Sequence, residues 1–381
     1  MIHQVKVNGF KSHKNTKVEL KNLTVLCGSN GVGKSSFIHV LLLLRESYLK
    51  KTNFEYLDLL SNPIKLGTIK DAIYQENSID GFDFSIKTSL SNYSFYFENS
   101  DSNFTKTLIH KSNNKPNEID FSMIVKENLF NLNYQYISAA RLGPQEVYRK
   151  DDVIVEIFKQ LSIIEGKAEL TVHYLYKNQD QKVHDKLIHP KQKINDLMHQ
   201  VSAWEKEISE GVNVVINDLG KLGYELKYEF DNRGKGKTNQ FYASNVGFGV
   251  TYVLPILVAI LSAEPGALII IENPEAHLHP RGIAKLTELI CKAAEAGIQI
   301  IIETHSDHII NGILVQCKKH EENNEQGISR ENVSIYQFER NESEHCSVVQ
   351  KIEVEEGSKI INPPNGFFDQ IQNDLAQILG F

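Results

Sequence analysis

The sequence predicts an α/β protein of the P-loop NTPase class, with a parallel core sheet, an antiparallel β lobe and a helical insertion. Three observations lead to this fold class. An apolar run at 23–27 passes through the glycine-rich segment 28–35 into a helical pattern, which is the strand–loop–helix order of a phosphate-binding loop. Two further apolar runs, at 267–271 and 298–302, are each followed by a glutamate. Between 82 and 97, apolar and polar residues alternate as in antiparallel strands.

The phosphate-binding loop follows two predicted strands that surround a turn at 9–13. Segment 28–35 fits the pattern G-x-x-x-x-G-K-[ST], whose glycines let backbone N–H groups point at phosphate oxygens. The following helix, 37–50, adds the positive end of its dipole. Lys34 can reach the β- and γ-phosphates, and the Ser35 hydroxyl can hold Mg²⁺. The predicted nucleotide-binding residues of this segment are Asn30, Gly31, Gly33, Lys34, Ser35 and Ser36.

Composition and charge exclude several classes of protein. A chain of 381 residues is long enough for a large core and more than one lobe. Its longest apolar stretch is too short to span a membrane, and no signal peptide pattern precedes the first strand, so we expect a cytoplasmic protein without membrane association. The four cysteines are widely separated, which favours reduced thiols over disulfides or zinc. The net charge of −7 argues against non-specific nucleic-acid coating but leaves a local basic groove open.

The middle of the chain is predicted in three parts. The first part, up to 140, carries an antiparallel meander that ends in a strand at 134–138, with Asn/Ser clusters at 91–92, 99–103 and 112–117. A helical or mixed insertion covers 141–210, and its clearest helix has on one face Ile194, Leu197, Met198, Val201, Trp204 and Ile208. A hairpin at 224–243 follows. The predicted domains are 1–140, 141–210, 211–330 and 331–381.

The second half of the chain supplies the remaining candidate site residues. Gly247 and Gly249 open an apolar helix at 250–263. The strand at 267–271 leads into Glu272 and Glu275, and the strand at 298–302 leads into Glu303 and His305. Because the carboxyl ends of parallel strands meet at one edge of a sheet, we expect an acid beside Mg²⁺ and the attacking water. A histidine there can contact the γ-phosphate.

These motifs, in this order, resemble the ABC-type ATPase heads of the SMC and RecF kind. The sequence is more closely similar to prokaryotic predicted ATPases of the OLD-like AAA group, in the branch that carries GFGV…LP, ENPEAHLHP and ETHSDH. The matching segments here are 247–250 with Leu254 and Pro255, 272–280, and 303–308. Segments 333–338 and 364–369 look like the small C-terminal domain of unknown function with which that branch ends.

The resemblance implies an ATP-sandwich mechanism that uses ATP and Mg²⁺. Two copies would meet head-to-tail on ATP, each P-loop closing on the partner's Gly247 and Gly249, and would relax after hydrolysis. His305 takes the place of the switch histidine. The segment at 247–249 lacks the serine-glycine-glycine form of the family, so its backbone N–H groups would contact phosphate, with help from Ser244, Asn245 or Thr251.

The acidic pair of the family is also altered. Where ABC-type heads carry Asp and then Glu, this chain has Glu272 and then Asn273. By this register Glu272 joins Ser35 as a ligand of Mg²⁺. For catalysis, either Glu275 supplies the general base or hydrolysis is slow, and we favour Glu275.

Several residues keep two interpretations. Glu275, His277 and His279 follow no established zinc spacing, so the P-loop context explains them better than a separate metal site. Arg141 either senses the nucleotide phosphates or forms an ordinary surface ion pair. The first turn, with Phe10 and Lys11, either contacts a base or DNA or is a plain hairpin turn. The hairpin tip is either a solvated turn or a contact to a phosphate backbone; its basic residues are Arg233, Lys235 and Lys237.

The predicted function is an ATP-driven switch that controls a separately encoded effector. OLD nucleases append a Toprim domain, but the segment after His305 is short and has no glutamate paired with a later D-x-D, so we expect the effector, such as a nuclease, to be a partner. Related ATPases occur in anti-phage systems such as Septu and retron-linked modules, which implies a role in bacterial defence. The alternative is a DNA-binding repair ATPase of the RecF or SMC kind. A transporter subunit is disfavoured by the altered signature and the large insertion.

Overall fold

The computed structural model describes residues 1–50, 56–75, 81–98, 106–110, 121–232, 234, 236–324, 326–361, 363–364, 366–368 and 370–379. Its strands are β1 Ile2–Phe10, β2 His13–Glu19, β3 Leu23–Gly28, β4 Tyr56–Asp58, β5 Gly81–Thr88, β6 Asn92–Glu98, β7 Lys106–His110, β8 Tyr134–Ile137, β9 Val212–Asp218, β10 Tyr224–Asn232, β11 Gly236–Lys237, β12 Phe241–Tyr242, β13 Leu268–Glu272, β14 Gln299–Glu303, β15 Val333–Asn341, β16 Cys346–Ile352, β17 Val354–Glu355 and β18 Lys359–Ile360. Its α-helices are α1 Lys34–Lys50, α2 Ile69–Ala72, α3 Phe121–Ile124, α4 Thr171–Lys177, α5 Leu197–Ile208, α6 Phe248–Leu261, α7 Pro280–Glu295, α8 Asp307–Glu322 and α9 Gln370–Leu379.

The core sheet has the strand order β16-β15-β3-β14-β13-β8. All neighbours are parallel except β16, which runs antiparallel to β15 at one edge. The predicted α/β fold with a parallel core sheet is therefore confirmed. Strand β14 lies between β3 and β13, and Glu303 on it is in register with Glu272 on one side and with Leu26 on the other. The two glutamates thus end adjacent strands beside the P-loop.

The apolar residues of the core strands divide between two faces. Leu268, Ile270 and Ile301 face the cluster that contains α1 and the N-terminal antiparallel strands. Ile269, Ile271 and Ile302 face the opposite cluster, which contains α5 to α8. Helix α1 is buried almost all round, as expected for an apolar helix enclosed between two layers. The P-loop therefore leads directly into a largely buried helix.

The antiparallel lobe has the strand order β2-β1-β5-β6-β7-β4. Its β1–β2 hairpin and its β5–β6 meander confirm the strands predicted there. Phe10, Phe82, Phe84 and Phe97 form an aromatic cluster with ring centroids about 5 Å apart. The polar clusters at 99–103 and 112–117 lie outside the described residues.

The predicted helix of the insertion is present but shorter than expected. Helix α5 begins at Leu197 because the Asp196 side chain caps it, accepting a hydrogen bond from the His199 N–H. Ile194 therefore lies before the helix and is exposed, so its assignment to the apolar face was wrong. Trp204 is buried as predicted, and its indole N–H donates to the Leu187 carbonyl at 3.0 Å. No helix within the described ranges is long and apolar enough to cross a bilayer.

The hairpin at 224–243 also differs from the prediction. The long partner of β10 is the preceding strand β9, which the sequence pattern did not indicate, and the return strand β12 covers only Phe241 and Tyr242. Of the basic tip, Arg233 and Lys235 lie outside the described residues, and Lys237 pairs with Glu229. The predicted boundary at 331 falls just before β15, which pairs with β3. The C-terminal segment therefore contributes to the core sheet.

Candidate nucleotide-binding site

The predicted phosphate-binding residues line one cavity of about 300 Å³. Asn30, Gly31, Gly33, Lys34, Ser35 and Ser36 all contribute to it. Three further residues complete the lining: Lys11, Ser12 and Glu303. Lys11 lies in the β1–β2 turn with a positive φ of 51°, and burial lowers the pKa of its ammonium. The β1–β2 turn, for which a plain hairpin was one interpretation, therefore adds a second lysine to the cavity.

The Lys34 ammonium is held by the loop itself. It donates to the carbonyls of Gly28 and Ser29 at 2.9 and 2.6 Å, and it lies 4.0 Å from Glu303 Oε1. Burial lowers the pKa of Lys34, while the negative charge of Glu303 opposes this effect. The ammonium therefore stands at the start of α1, where the helix dipole and free N–H groups also favour an anion.

Two side chains from distant segments support the back of the loop. His13 is fully buried, and burial lowers its pKa to about 4, so the imidazole is neutral and its Nε2–H donates to the Gly33 carbonyl at 3.1 Å. Ser347 Oγ, on β16, lies 2.7 Å from both the Val32 carbonyl and the Ser12 hydroxyl. A Cβ at Gly33 would lie 2.2 Å from Ser347 Oγ, and Gly33 has a φ of +107°, so only glycine fits there.

Glu303 is the carboxylate nearest to the P-loop hydroxyl. Ser35 Oγ donates to Glu303 Oε1 at 3.0 Å, whereas Glu303 Oε2 is buried and has no hydrogen-bond partner in the described part of the chain. Burial and the nearby charge of Glu272 raise the pKa of Glu303 to about 7. The sequence placed this residue at a strand end but assigned it no role.

Glu272 lies one strand further from the loop, and both of its oxygens already accept hydrogen bonds. The Tyr136 hydroxyl donates to Oε1 at 2.9 Å, and the Ala139 N–H donates to Oε2 at 3.0 Å. Burial and the Glu272 charge raise the pKa of Tyr136, so its hydroxyl stays protonated and remains a donor. The residue predicted to bind Mg²⁺ is thus oriented toward the end of β8 in this structure.

Glu275 connects the segment after β13 to the segment after β14. Its Oε1 accepts hydrogen bonds from the Thr304 hydroxyl at 2.8 Å and from the His305 N–H at 3.0 Å, while its Oε2 is buried without a partner among the described residues. Burial and the charge of Lys34 lower the pKa of His305. Asn273, which follows Glu272, has a φ of +43° and donates its N–H to the Glu303 carbonyl at 2.8 Å. The three predicted catalytic residues therefore lie along one sheet edge.

Arg141 does not form an ion pair at the surface, which was one of its two interpretations from the sequence. The side chain is buried and its guanidinium lies 4.0 Å over the Tyr252 ring. It donates to four carbonyls, those of Tyr252, Ser138, Glu272 and Asn273, at 2.9 to 3.1 Å. Burial lowers the pKa of Arg141 to about 10. The residue joins the end of β8, helix α6 and the segment after β13.

The glycine-led segment lies in a different cavity. Gly247 and Gly249 line a space of about 400 Å³ together with His277, His279 and Arg281, and this space shares no lining residue with the P-loop cavity. A Cβ at Gly249 would lie 2.3 Å from the His277 carbonyl, whereas a Cβ at Gly247 would meet nothing within 4 Å. Within one copy, the structure does not bring this segment to the P-loop.

The polar residues around this segment divide by exposure. Ser244 and Asn245 are exposed, whereas Thr251 is buried, which argues against its predicted contact with phosphate. His277 packs against the rings of Phe248 and Tyr252. His279 caps α7 by accepting from the Arg281 N–H. Among the described residues no three His, Cys, Asp or Glu side chains are grouped as metal ligands.

The chemistry of the P-loop cavity fits a magnesium nucleotide. Loop N–H groups and two lysines suit phosphate oxygens, and a hydroxyl beside an under-bonded carboxylate oxygen suits a hard cation that takes its other ligands from phosphate and water. The buried, unpartnered Glu303 Oε2 is the observation on which this fit rests.

Comparison with known families agrees with this geometry. Residues 1–310 match the family described as AAA ATPase domain, and residues 328–378 match a family described as a protein of unknown function. Because the first match covers most of the chain, the protein belongs to the AAA ATPase domain family. A search of curated proteins found no match.

Solved structures of SMC head domains share the fold. An SMC head bound to the C-terminal winged-helix domain of ScpA aligns with a TM-score of 0.56 at 12% identity, covering 93% of this chain and 98% of that one. The SMC head domain from Thermotoga maritima has a TM-score of 0.50 at 11% identity, covering 93% and 99%. An SMC head from Pyrococcus furiosus, bound to the C-terminal domain of ScpA, has a TM-score of 0.51 at 12% identity, covering 99% of both chains. These matches show that the chain has an SMC-like ATPase fold.

Proposed function

We propose that this AAA ATPase-domain protein binds MgATP, dimerises head-to-tail on it, and controls a partner effector through the cycle of binding and hydrolysis. The observation that carries the proposal is the P-loop cavity, into which the six predicted loop residues, Lys11 and Glu303 converge at the N-terminus of α1. Mg²⁺, when bound, neutralises charge on the β- and γ-phosphate oxygens.

Each residue at the sheet edge has a proposed task. Lys34 leaves the carbonyls of Gly28 and Ser29 to bind the β- and γ-phosphates. Ser35 is proposed to hold Mg²⁺, for which the sequence pattern predicts Glu272 as the carboxylate ligand, and Glu275, with its unpartnered Oε2, is our candidate general base. His305 contacts the γ-phosphate and, through the hydrogen bond from its N–H to Glu275, links that contact to the base.

The separate location of Gly247 and Gly249 supports the dimer. Both glycines line a cavity that shares no lining residue with their own P-loop cavity, as expected if a second copy brings this segment to the nucleotide. Gly249 lies close to the carbonyl of His277, and Arg141 joins the same helix to the strand that ends in Glu272. A conformational change at the nucleotide site shared by two copies would thereby be passed to the core sheet of each copy.

The effector is proposed to be a separate protein, such as a nuclease, in bacterial defence against phage. The sequence resemblance to defence-associated ATPases supports this role, and the SMC heads with the same fold are solved with a domain of ScpA bound. Recovery of the tagged chain from its native host, followed by mass spectrometry, would identify the effector; recovery of a repair protein or a permease would contradict this role.

Binding and dimerisation are tested together with one variant pair. Lys34→Ala should abolish binding of radiolabelled ATP and the ATP-dependent shift in size-exclusion chromatography, because it removes the phosphate-binding ammonium. Lys318→Ala, at an exposed lysine of α8, is the matched control and should leave both measurements unchanged. Binding that survives in Lys34→Ala would refute the proposed site, and binding without a shift in the wild type would refute the dimer.

A DNA-binding repair ATPase is the second candidate, because its SMC-like fold is the fold of this chain. It predicts ATP hydrolysis that duplex DNA stimulates and that falls steeply as salt is raised, since phosphate contacts release counterions. The switch acting through a protein effector predicts hydrolysis that DNA leaves unchanged.

A further inference from the structure

The hydroxyl of the P-loop and the carboxylate of Glu303 form a close pair at one side of the phosphate cavity. Ser35 Oγ and Glu303 Oε1 are 3.0 Å apart, and the second carboxylate oxygen is buried with no partner in the described chain. Glu303 is only 6% exposed, and both residues line the cavity. A buried carboxylate oxygen without a donor is unfavourable unless a ligand satisfies it.

Strand order explains why Glu303, and not Glu272, is in this position. Strand β14 pairs directly with the P-loop strand β3, whereas β13 is the next strand beyond it. The Glu272 oxygens are each engaged, one by the Tyr136 hydroxyl and one by the Ala139 N–H. To reach Ser35, the Glu272 carboxylate would have to break both hydrogen bonds, while Glu303 requires no rearrangement.

We propose that Glu303 is a protein ligand of the nucleotide-bound Mg²⁺, together with Ser35, and that Glu272, whose oxygens accept from Tyr136 and Ala139, is not a direct ligand of the ion. This inference rests on the proposed binding of MgATP. Mg²⁺ takes near-octahedral oxygen ligands at about 2.0–2.1 Å, so two adjacent ligands lie about 2.8–3.0 Å apart. The 3.0 Å separation of Ser35 Oγ and Glu303 Oε1 therefore suits both their present hydrogen bond and adjacent positions around the ion.

The assignment predicts a distinctive dependence on metal. Without Mg²⁺, the Glu303 carboxylate repels the phosphates; with Mg²⁺, it binds the ion that the phosphates also bind. Glu303→Gln should therefore bind ATP in EDTA at least as tightly as the wild type. It should lose most of the gain in affinity that Mg²⁺ gives the wild type, by about tenfold or more, as is typical when a metal site is impaired.

The experiment measures binding and not turnover. A fluorescent ATP analogue is titrated into the full chain in Mg²⁺ and in EDTA, for the wild type, Glu303→Gln and Glu272→Gln. Binding of Mn²⁺ in the presence of ADP is followed in parallel by the electron paramagnetic resonance signal of free Mn²⁺. Glu303→Asp serves as a second variant, which keeps the charge but withdraws it from Ser35, and should retain part of the metal dependence.

The outcomes separate this inference from the proposed function. Loss of metal dependence in Glu303→Gln, with Glu272→Gln less affected, supports the assignment. An unchanged ratio of the Mg²⁺ and EDTA affinities in Glu303→Gln, or a larger loss in Glu272→Gln, overturns it while leaving ATP binding intact. A wild type that binds no nucleotide in either condition refutes the proposed function, and this inference with it.

Discussion

Replacing Glu303 with glutamine should stabilise the nucleotide-free protein in a pH-dependent way. The pKa of Glu303 is raised from 4.5 to about 7 by burial and the charge of Glu272, so the folded state binds a proton that the unfolded state releases. The contribution of Glu303 to the free energy of unfolding is therefore fully present below about pH 4.5 and is lost as the pH rises through about 7. Ionised Glu303 therefore destabilises the fold at neutral and higher pH, by about 3 kcal/mol. Glutamine is similar in shape and carries no charge, so Glu303→Gln avoids this penalty.

The expected effect is large enough for thermal unfolding. With an unfolding entropy of about 2.1 cal/mol/K per residue, about 3 kcal/mol corresponds to a rise of about 4 °C in melting temperature for 381 residues. Melting curves in EDTA without nucleotide should show this rise for Glu303→Gln at about pH 8 and little change at about pH 4.5. Glu342→Gln, at an exposed residue between β15 and β16, controls for the general loss of a negative charge.

The reasoning would be refuted by a Glu303→Gln melting temperature that differs from the wild type by the same amount at both pH values. A lower melting temperature at the higher pH would show that the ionised carboxylate stabilises the fold through Ser35 and Lys34. The first result would mean that ionisation of Glu303 does not change stability over this pH range, and the second that the ionised carboxylate carries no net penalty.

Three further predictions concern the surroundings of the site. Glu275→Gln should retain ATP binding but accumulate the ATP-bound dimer in size-exclusion chromatography, because it removes the proposed base; normal hydrolysis in this variant, with Glu272→Gln inactive, would contradict the assignment. Arg141→Lys should lower the free energy of unfolding by about 3 kcal/mol, because a lysine ammonium cannot replace the guanidinium that donates to four carbonyls. Unchanged unfolding in denaturant would contradict this structural role of Arg141. Gly249→Ala should cost about 1–3 kcal/mol, because the added Cβ meets the His277 carbonyl, while Gly247→Ala should stay within about 0.5 kcal/mol; equal melting temperatures for the two would show that the backbone adjusts freely.

The parts of the site that depend on contiguous sequence could be predicted. The P-loop is one segment whose glycines, lysine and serine specify both its conformation and its ligand. The apolar strands β13 and β14 were recognisable because buried parallel strands are apolar on both faces. The helix of the insertion was recognisable from its apolar period, but the same period included Ile194, which lies before the N-cap residue Asp196.

The parts of the site that depend on strand order or on distant contacts could not be predicted from the sequence. The sequence places Glu272 and Glu303 at equivalent strand ends, and only the pairing of β14 with β3 shows which one reaches Ser35. Arg141 follows a strand and precedes a glycine and a proline, a pattern that gives no sign of burial against four carbonyls. Ser347 contacts a carbonyl 315 positions away, and no local pattern encodes such a contact.

That distant contact connects the C-terminal segment to the phosphate-binding loop. Ser347 lies within 328–378, the region matched to a family of unknown function, yet its hydroxyl supports the backbone of the phosphate loop and its N–H donates to the Ser12 carbonyl beside Lys11. Displacement of the β15–β16 hairpin would remove the support that Ser347 gives to this loop, without any change inside the cavity. In the opposite direction, a change in the conformation of the loop would be transmitted to that hairpin.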